Sequence, residues 1–208
     1  MRVIAGYKLS NEIPTRLSLK LTELPVGQTI ASIKTADYLE RQGILKDTIM
    51  QCPYTYFTLD GICFMLHGPG LAYQERMCTN SYARFYNPLG LALGKYVFHT
   101  GEGHNVNNTL FVVEGVTDAL ALWQAGYESI ALLGTAITDE RAEIVMKLKG
   151  DRRVLFIPDN DTAGYTFLAS ISSYLVLWGA GIRYLPNLHK DVCDMPFAMR
   201  KQWIMGAQ

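Results

Sequence analysis

The sequence predicts an α/β protein: a parallel sheet flanked by helices fills the C-terminal half, and a smaller α+β subdomain precedes it. Two patterns lead there. From Leu110 onward short apolar runs alternate with stretches of helical spacing, which implies parallel strands covered on both faces. Upstream, apolar runs meet at a two-residue turn signal, which implies antiparallel pairing. The polar, glycine-containing stretch His99 to Asn108, "HTGEGHNVNN", separates the two patterns, so the parts are placed at 1–104 and 105–208. At 208 residues the chain is long enough to bury roughly 70% of the surface its unfolded form exposes, and a core forms without staples.

In chain order, "TADYLERQGI" is a short helix stopped at Gly43, and "YTYFTLDGICFML" is two strands around Asp60-Gly61, where both residues tolerate φ > 0. β-like pieces follow at "AYQERMC" and "YVFH". Past the polar stretch, "LFVV" is a strand, "VTDALALWQAG" a helix ending at Gly126, and "SIALLG" a second strand. "TDERAEIVMKLKG" is a helix with Thr138 as N-cap, Asp139 and Glu140 in the first turn, Lys147 and Lys149 in the last, and Gly150 as the stop. Its core stripe is Ala142, Val145 and Leu148. "RVLFIP" is the third strand, a helix with Phe167, Leu168, Ile171, Tyr174, Leu175 and Trp178 on one face follows, and "IRYLP" is the fourth. Trp123 and Trp178 sit on helices and are read as core.

Composition narrows the class. Cys52, Cys63, Cys78 and Cys193 form no C-x-x-C pair, so neither a zinc ribbon nor a disulfide framework is expected, and reduced cysteines fit a cytoplasmic protein. The start lacks the apolar run of a signal peptide, and no stretch approaches the ~18 apolar residues of a membrane span. Net charge is zero, yet residues 1–100 carry 10 Lys+Arg against 7 Asp+Glu, while residues 101–208 carry 9 against 12. A mildly basic half beside a mildly acidic one suits a polyanion groove next to a cation site.

In a parallel sheet, ligands collect beyond the carboxyl ends of the strands. Glu114 and Gly115 end the first C-terminal strand, Gly134 and Thr135 the second, and Asp159 and Asp161 the third; Asp118 lies one helical turn past Glu114. Four carboxylates at one rim repel each other unless a divalent cation holds them, and oxygen donors favour Mg2+ or Mn2+. Any one of these acids alone would read as a solvated turn. "DNDTAG" is no calcium loop, because Ala163 takes the fifth position and Ser170 stands where a bidentate glutamate belongs. "GLALGKY" is no phosphate loop: it is one residue short between glycines and has Tyr96 where Ser or Thr binds magnesium.

The ordered series "VVEGVTDALALWQAG", "LLGTAIT" and "FIPDNDTAG", within about Thr109 to Met195, resembles the TOPRIM domain in the version found in bacterial (DnaG-type) and phage DNA primases. The resemblance implies catalytic and metal-binding roles for Glu114, Asp159 and Asp161, with Asp118 as a further ligand. "HKDVCD" matches a later lysine-aspartate signature at Lys190 and Asp191, but lacks the proline usual after them, which leaves Asp194 an open carry-over. "ADYLERQGI", the hairpin and "ARFYNPLG" are similar to the amino-terminal subdomain of the primase polymerase core. By that similarity Arg76, Arg84 and Lys95 contact template or nucleotide, and Gly115, Gly134, Thr135, Lys190 and Asp191 line the same site. Tyr82, Phe85 and Tyr86 are candidates for stacking on unpaired bases.

The function implied is a DNA primase, a nucleotidyltransferase making short RNA primers on single-stranded DNA in phage- or plasmid-type replication. Its cofactor is Mg2+ or Mn2+, and its partners are the single-stranded DNA template, ribonucleoside triphosphates and a replicative helicase supplied by another chain. No membrane is involved, and the expected place is the cytoplasm of a bacterial or phage-infected cell. The family's zinc ribbon and helicase domain are not expected in this chain. Two alternatives stay open: a TOPRIM nuclease, in which the same carboxylates direct water at a phosphodiester, and a non-catalytic module that engages DNA or a replication partner.

Overall fold

The computed structural model describes residues 24–79, 83–101, 108–134 and 137–206. Strands β1 (Thr55–Phe57), β2 (Gly61–His67), β3 (Ala72–Met77), β4 (Phe85–Tyr86) and β5 (Val97–His99) form an antiparallel half. β6 (Thr109–Val113), β7 (Ser129–Ala131), β8 (Arg153–Phe156) and β9 (Gly181–Ile182) form a parallel half. Helices are α1 (Ile33–Arg41), α2 (Lys46–Gln51), α3 (Val116–Gln124), α4 (Asp139–Lys149), α5 (Thr162–Ser170), α6 (Ser172–Trp178) and α7 (Phe197–Met205). None of them is long and apolar enough to cross a membrane.

The halves share one sheet, ordered β4-β3-β2-β5-β7-β6-β8-β9, with β1 on β2. The join is antiparallel, Phe98 opposite Ala131 and His99 opposite Ile130. The expected boundary at 104/105 lies outside the described residues. At the join, His99 Nε2 lies 2.6 Å from Glu128 Oε1, and Arg152 pairs with the other oxygen of that buried carboxylate.

Strand periodicity divides the core. Leu110, Val112, Val154 and Phe156 face one layer with Ala142 and Val145 of α4, Phe167 of α5 and Leu175 and Trp178 of α6. Phe111, Val113 and Leu155 face the opposite layer with α3 and with Tyr38, Leu39, Ile49 and Ile204. Side chains that alternate across a strand give each face its own helices. Full burial of one such side chain is worth about 1.5–3 kcal/mol.

Two local expectations need adjusting, and a third holds with an addition. The single helix expected to carry Phe167 through Trp178 is two helices that meet at Ile171, where the Ser170 hydroxyl donates back to the Phe167 carbonyl at 2.7 Å and competes with the helical ladder. In the hairpin neither Asp60 nor Gly61 has positive φ. Gly61 is required instead because a Cβ there would stand 1.8 Å from the Arg76 carbonyl oxygen. Thr138 does cap α4, accepting from the Arg141 amide at 3.3 Å, but Arg141 itself is buried and donates to the carbonyls of Tyr96 and Leu93 at 2.9 and 2.8 Å.

Candidate active site

The carboxyl ends of β6 and β8 meet at one rim. Glu114 Oε1 accepts the Asp159 amide at 3.3 Å, which ties the ends of these two strands together. Asp118, in the first turn of α3 and buried, accepts the Cys193 amide through Oδ1 at 3.1 Å. Gly115 precedes that helix, and a Cβ on it would fall 2.8 Å from Asp118 Oδ2, displacing the carboxylate. Asp161 caps α5, its Oδ1 accepting the Gly164 amide at 2.9 Å. A Cβ on Gly164 would stand 2.2 Å from the Asp159 carbonyl oxygen. The glycines of "EG" and "DNDTAG" therefore serve close approach, and that approach sets where the acids sit.

Electrostatics report the crowding. Burial first, then the Asp191 and Asp159 carboxylates, push Asp118 up to about 8 against the pull of the Cys193 N–H. Burial, then Glu114, Asp191 and Asp161, push Asp159 up to about 7. Glu114 is also raised, by burial more than by Asp161. Asp161 goes the other way, held down first by the Gly164 N–H and then by Lys190, whose Nζ lies 3.3 Å from its Oδ2. The Lys190 ammonium also lowers Glu114 and Asp159.

Above the acids is a cleft of about 280 Å³, with Gln74 and Phe85 of the antiparallel half on one wall and Glu114, Asp118, Gly134 and Asp159 on the other. Leu133, also on its lining, holds φ 61, a strained conformation for a branched residue that costs on the order of 1–3 kcal/mol.

A divalent cation fits this cluster in chemistry. The donors are hard carboxylate oxygens, and a cationic ammonium already rests against them. Among the described residues, no three His, Cys, Asp or Glu side chains stand gathered tightly enough to hold an ion as they are.

The family model described as "Toprim-like" matches residues 111–195, less than half of the chain. Residues 111–195 are similar to the Toprim-like family. The Toprim-like domain and the antiparallel half together have the fold of primase polymerase domains. The zinc-binding and RNA polymerase domains of Aquifex aeolicus primase match at TM-score 0.63 and 18% identity, covering 84% of this chain and 56% of that one. The RNA polymerase domain of Mycobacterium tuberculosis primase matches at 0.54 and 17%, covering 82% and 65%. The primase fragment of the bacteriophage T7 primase-helicase protein matches at 0.55 and 17%, covering 81% and 72%. This chain thus spans less than two thirds of the first two. No curated protein matches it.

Of the residues singled out from sequence, Glu114, Gly115, Asp118, Gly134, Asp159, Asp161, Lys190 and Asp191 gather at the rim of the Toprim-like domain. Thr135 and Tyr82 lie outside the described residues. Arg76 packs 4.6 Å from the Tyr38 ring and 5.0 Å from the Phe85 ring, behind the cleft wall. Arg84 is exposed just before β4 and does not line the cleft, and Lys95 pairs with Glu140 at 3.5 Å. Asp194 caps the preceding turn, accepting the Lys190 amide at 3.0 Å. Sequence reasoning missed Gln74, a polar side chain in an apolar strand whose only signal is that contrast.

Proposed function

We propose that the chain is the RNA polymerase core of a DNA primase, which joins ribonucleotides into short primers on single-stranded DNA using Mg2+ or Mn2+, in replication of the phage or plasmid type. The observation that carries the reading is the contact of Glu114 with the Asp159 backbone across two strand ends, beneath a wall from the other half of the molecule. In this reaction the 3′-hydroxyl oxygen of one nucleotide attacks the α-phosphate of the next and pyrophosphate leaves, so the protein's task is positioning and placement of charge. Glu114, Asp159 and Asp161 would hold the cation with Asp118 behind them. When bound, the cation neutralises triphosphate charge and lowers the pKa of the attacking hydroxyl. Glu114, raised above the usual carboxylate range by burial, is suited to take the hydroxyl proton. Lys190 offers an ammonium to the triphosphate from the same rim. Phe85 presents an aromatic face to a base, and Arg76, stacked on that ring, holds it and adds positive charge. A replicative helicase on another chain is the further partner we infer; the T7 fragment above comes from a primase-helicase protein.

The test is incubation with single-stranded DNA, ribonucleoside triphosphates and Mg2+ or Mn2+. New oligoribonucleotides that disappear with Asp159→Ala support the reading, and undiminished synthesis by that variant refutes the site. Shortened DNA or RNA would make the protein a nuclease instead. Neither product would leave a binding module.

A further inference from the structure

Arg200, on α7, is fully buried, with 0% of its surface exposed. Its guanidinium touches no carboxylate among the described residues and is directed at backbone carbonyls. Nε donates to Met195 at 2.7 Å, and Nη2 donates to Cys193 at 3.2 Å, to Gln42 at 3.3 Å and to Gly43 at 3.5 Å. Nη1 is buried without a partner. Burying a guanidinium costs several kcal/mol, and replacing such a group by a hydrophobic residue of similar size is often neutral or better for stability. Stability alone therefore does not explain it.

Its contacts do. Gln42 and Gly43 end α1 in the antiparallel half, whereas Cys193 and Met195 belong to the loop of the Toprim-like domain. Cys193 accepts from Arg200 through its carbonyl and donates to Asp118 through its amide at 3.1 Å. One residue thus carries the linkage from Arg200 to the acid rim. The same guanidinium reaches the base of the opposite wall, where Tyr38 of α1 packs on Arg76 and Arg76 packs on Phe85.

We propose that Arg200 is a positioning residue that fixes the acid rim and the facing wall of the cleft to one another, holding Asp118 through the Cys193 peptide and α1 through the Gln42 and Gly43 carbonyls. It touches neither substrate nor ion and acts through the loop. The inference rests on the cation-site reading above.

Arg200→Lys is the discriminating variant, because it keeps the charge and removes the planar fork that spans several carbonyls. Mn2+ affinity is read from the electron paramagnetic resonance signal of the free aqua ion, with circular dichroism to verify folding. Groups that orient metal ligands typically change affinity by 10–100-fold when removed. With a peptide unit intervening, we expect Arg200→Lys to weaken Mn2+ about tenfold. Should Arg200→Lys not fold, hydrogen exchange on the unaltered chain gives the answer: Mn2+ should slow exchange in the segment around Gln42 and Gly43 as well as in 193–195. A folded Arg200→Lys that binds Mn2+ within twofold of the parent overturns the inference, as does protection confined to the Toprim-like domain. A parent chain that binds no Mn2+ at all sinks the cation-site reading, and this inference with it.

Discussion

Neutralising Asp118 should stabilise the metal-free protein while impairing its function. The carboxyl is buried, and burial with the Asp191 and Asp159 charges raises it from 3.8 to about 8. A carboxyl raised in the folded state keeps its proton there after the unfolded chain has lost its own. Its contribution to stability is complete below the unfolded value and drains away as pH rises toward the folded one, so the window here runs from 3.8 to about 8. Each pH unit inside that window costs about 1.4 kcal/mol, which sets an upper bound of about 4 kcal/mol at pH 7. Relaxation of the site around the buried charge reduces this to about 1–3 kcal/mol. Asp118→Asn keeps an oxygen for the Cys193 amide and removes the titration. Urea unfolding in EDTA should show the variant more stable by that amount at pH 7, a rise of about 3–10 °C in Tm for a chain of this size. The gap should shrink toward zero near pH 4. A variant no more stable than its parent at pH 7, or a gap indifferent to pH, would refute the reasoning.

At the join between the halves the sign reverses. Burial opposes the charge on Glu128, but hydrogen bonds from His99 and Arg152 outweigh it and hold the carboxyl low. Its stability contribution is therefore present above the usual glutamate value and lost as pH falls through the folded one. Glu128→Gln should cost about 3 kcal/mol at pH 7, read by urea unfolding, with the difference vanishing in acid. Gly164→Ala should cost about 1–3 kcal/mol and, on the proposed function, at least tenfold in primer synthesis, because the added carbon meets the Asp159 carbonyl at 2.2 Å; a variant of unchanged melting and rate would remove the close approach from the account. Mn2+ at 100 times its Kd should stabilise the parent by about 2.7 kcal/mol and Asp159→Asn far less, measured by thermal melts. Phe85→Ala should raise KM for template or nucleotide several-fold with little change in kcat, and an unchanged KM would return Phe85 to simple packing.

The parallel half was readable because its signals are local. Leu110 and Val112 alternate with Phe111 and Val113 within five residues, Thr138 and Gly150 bracket α4, and the acids follow directly on strand ends where a parallel sheet gathers ligands. Other features depend on contacts far apart in sequence and leave no such mark. The β5–β7 pairing that fuses the halves involves only two residue pairs, too few to write a period into "YVFH". Lys95 and Arg84 carry the charge that a nucleotide wall needs, yet only tertiary placement reveals that one pairs with Glu140 and the other lies off the cleft. Nothing in "FAMRKQW" marks Arg200 as buried, since charge normally means solvent, and its burial depends on carbonyls contributed by residues 42, 43, 193 and 195.

Two of the clasps that hold the halves together lie apart along the fold. One is the His99–Glu128–Arg152 cluster at the β5–β7 join, where the sheet is continuous but narrow. The other is Arg200, which reaches from the loop holding Asp118 to the end of α1. Other contacts cross as well: Gln124 of α3 accepts the Leu45 amide at 2.6 Å and donates to the Gly43 carbonyl at 2.9 Å, and Arg141 of α4 donates to the carbonyls of Leu93 and Tyr96. With all of these contacts, the wall that would present a base and the rim that would hold the cation are tied to one another. Near-attack geometry tolerates errors well below 1 Å, since a misplacement of that size costs about a hundredfold in rate. Loosening either clasp should therefore lower kcat while leaving the acids themselves in place. Combining Glu128→Gln with Arg200→Lys should lower it by more than the product of the two single effects, because each contact carries part of the load when the other is lost. Strictly multiplicative effects would mean that the two clasps act on the cleft independently.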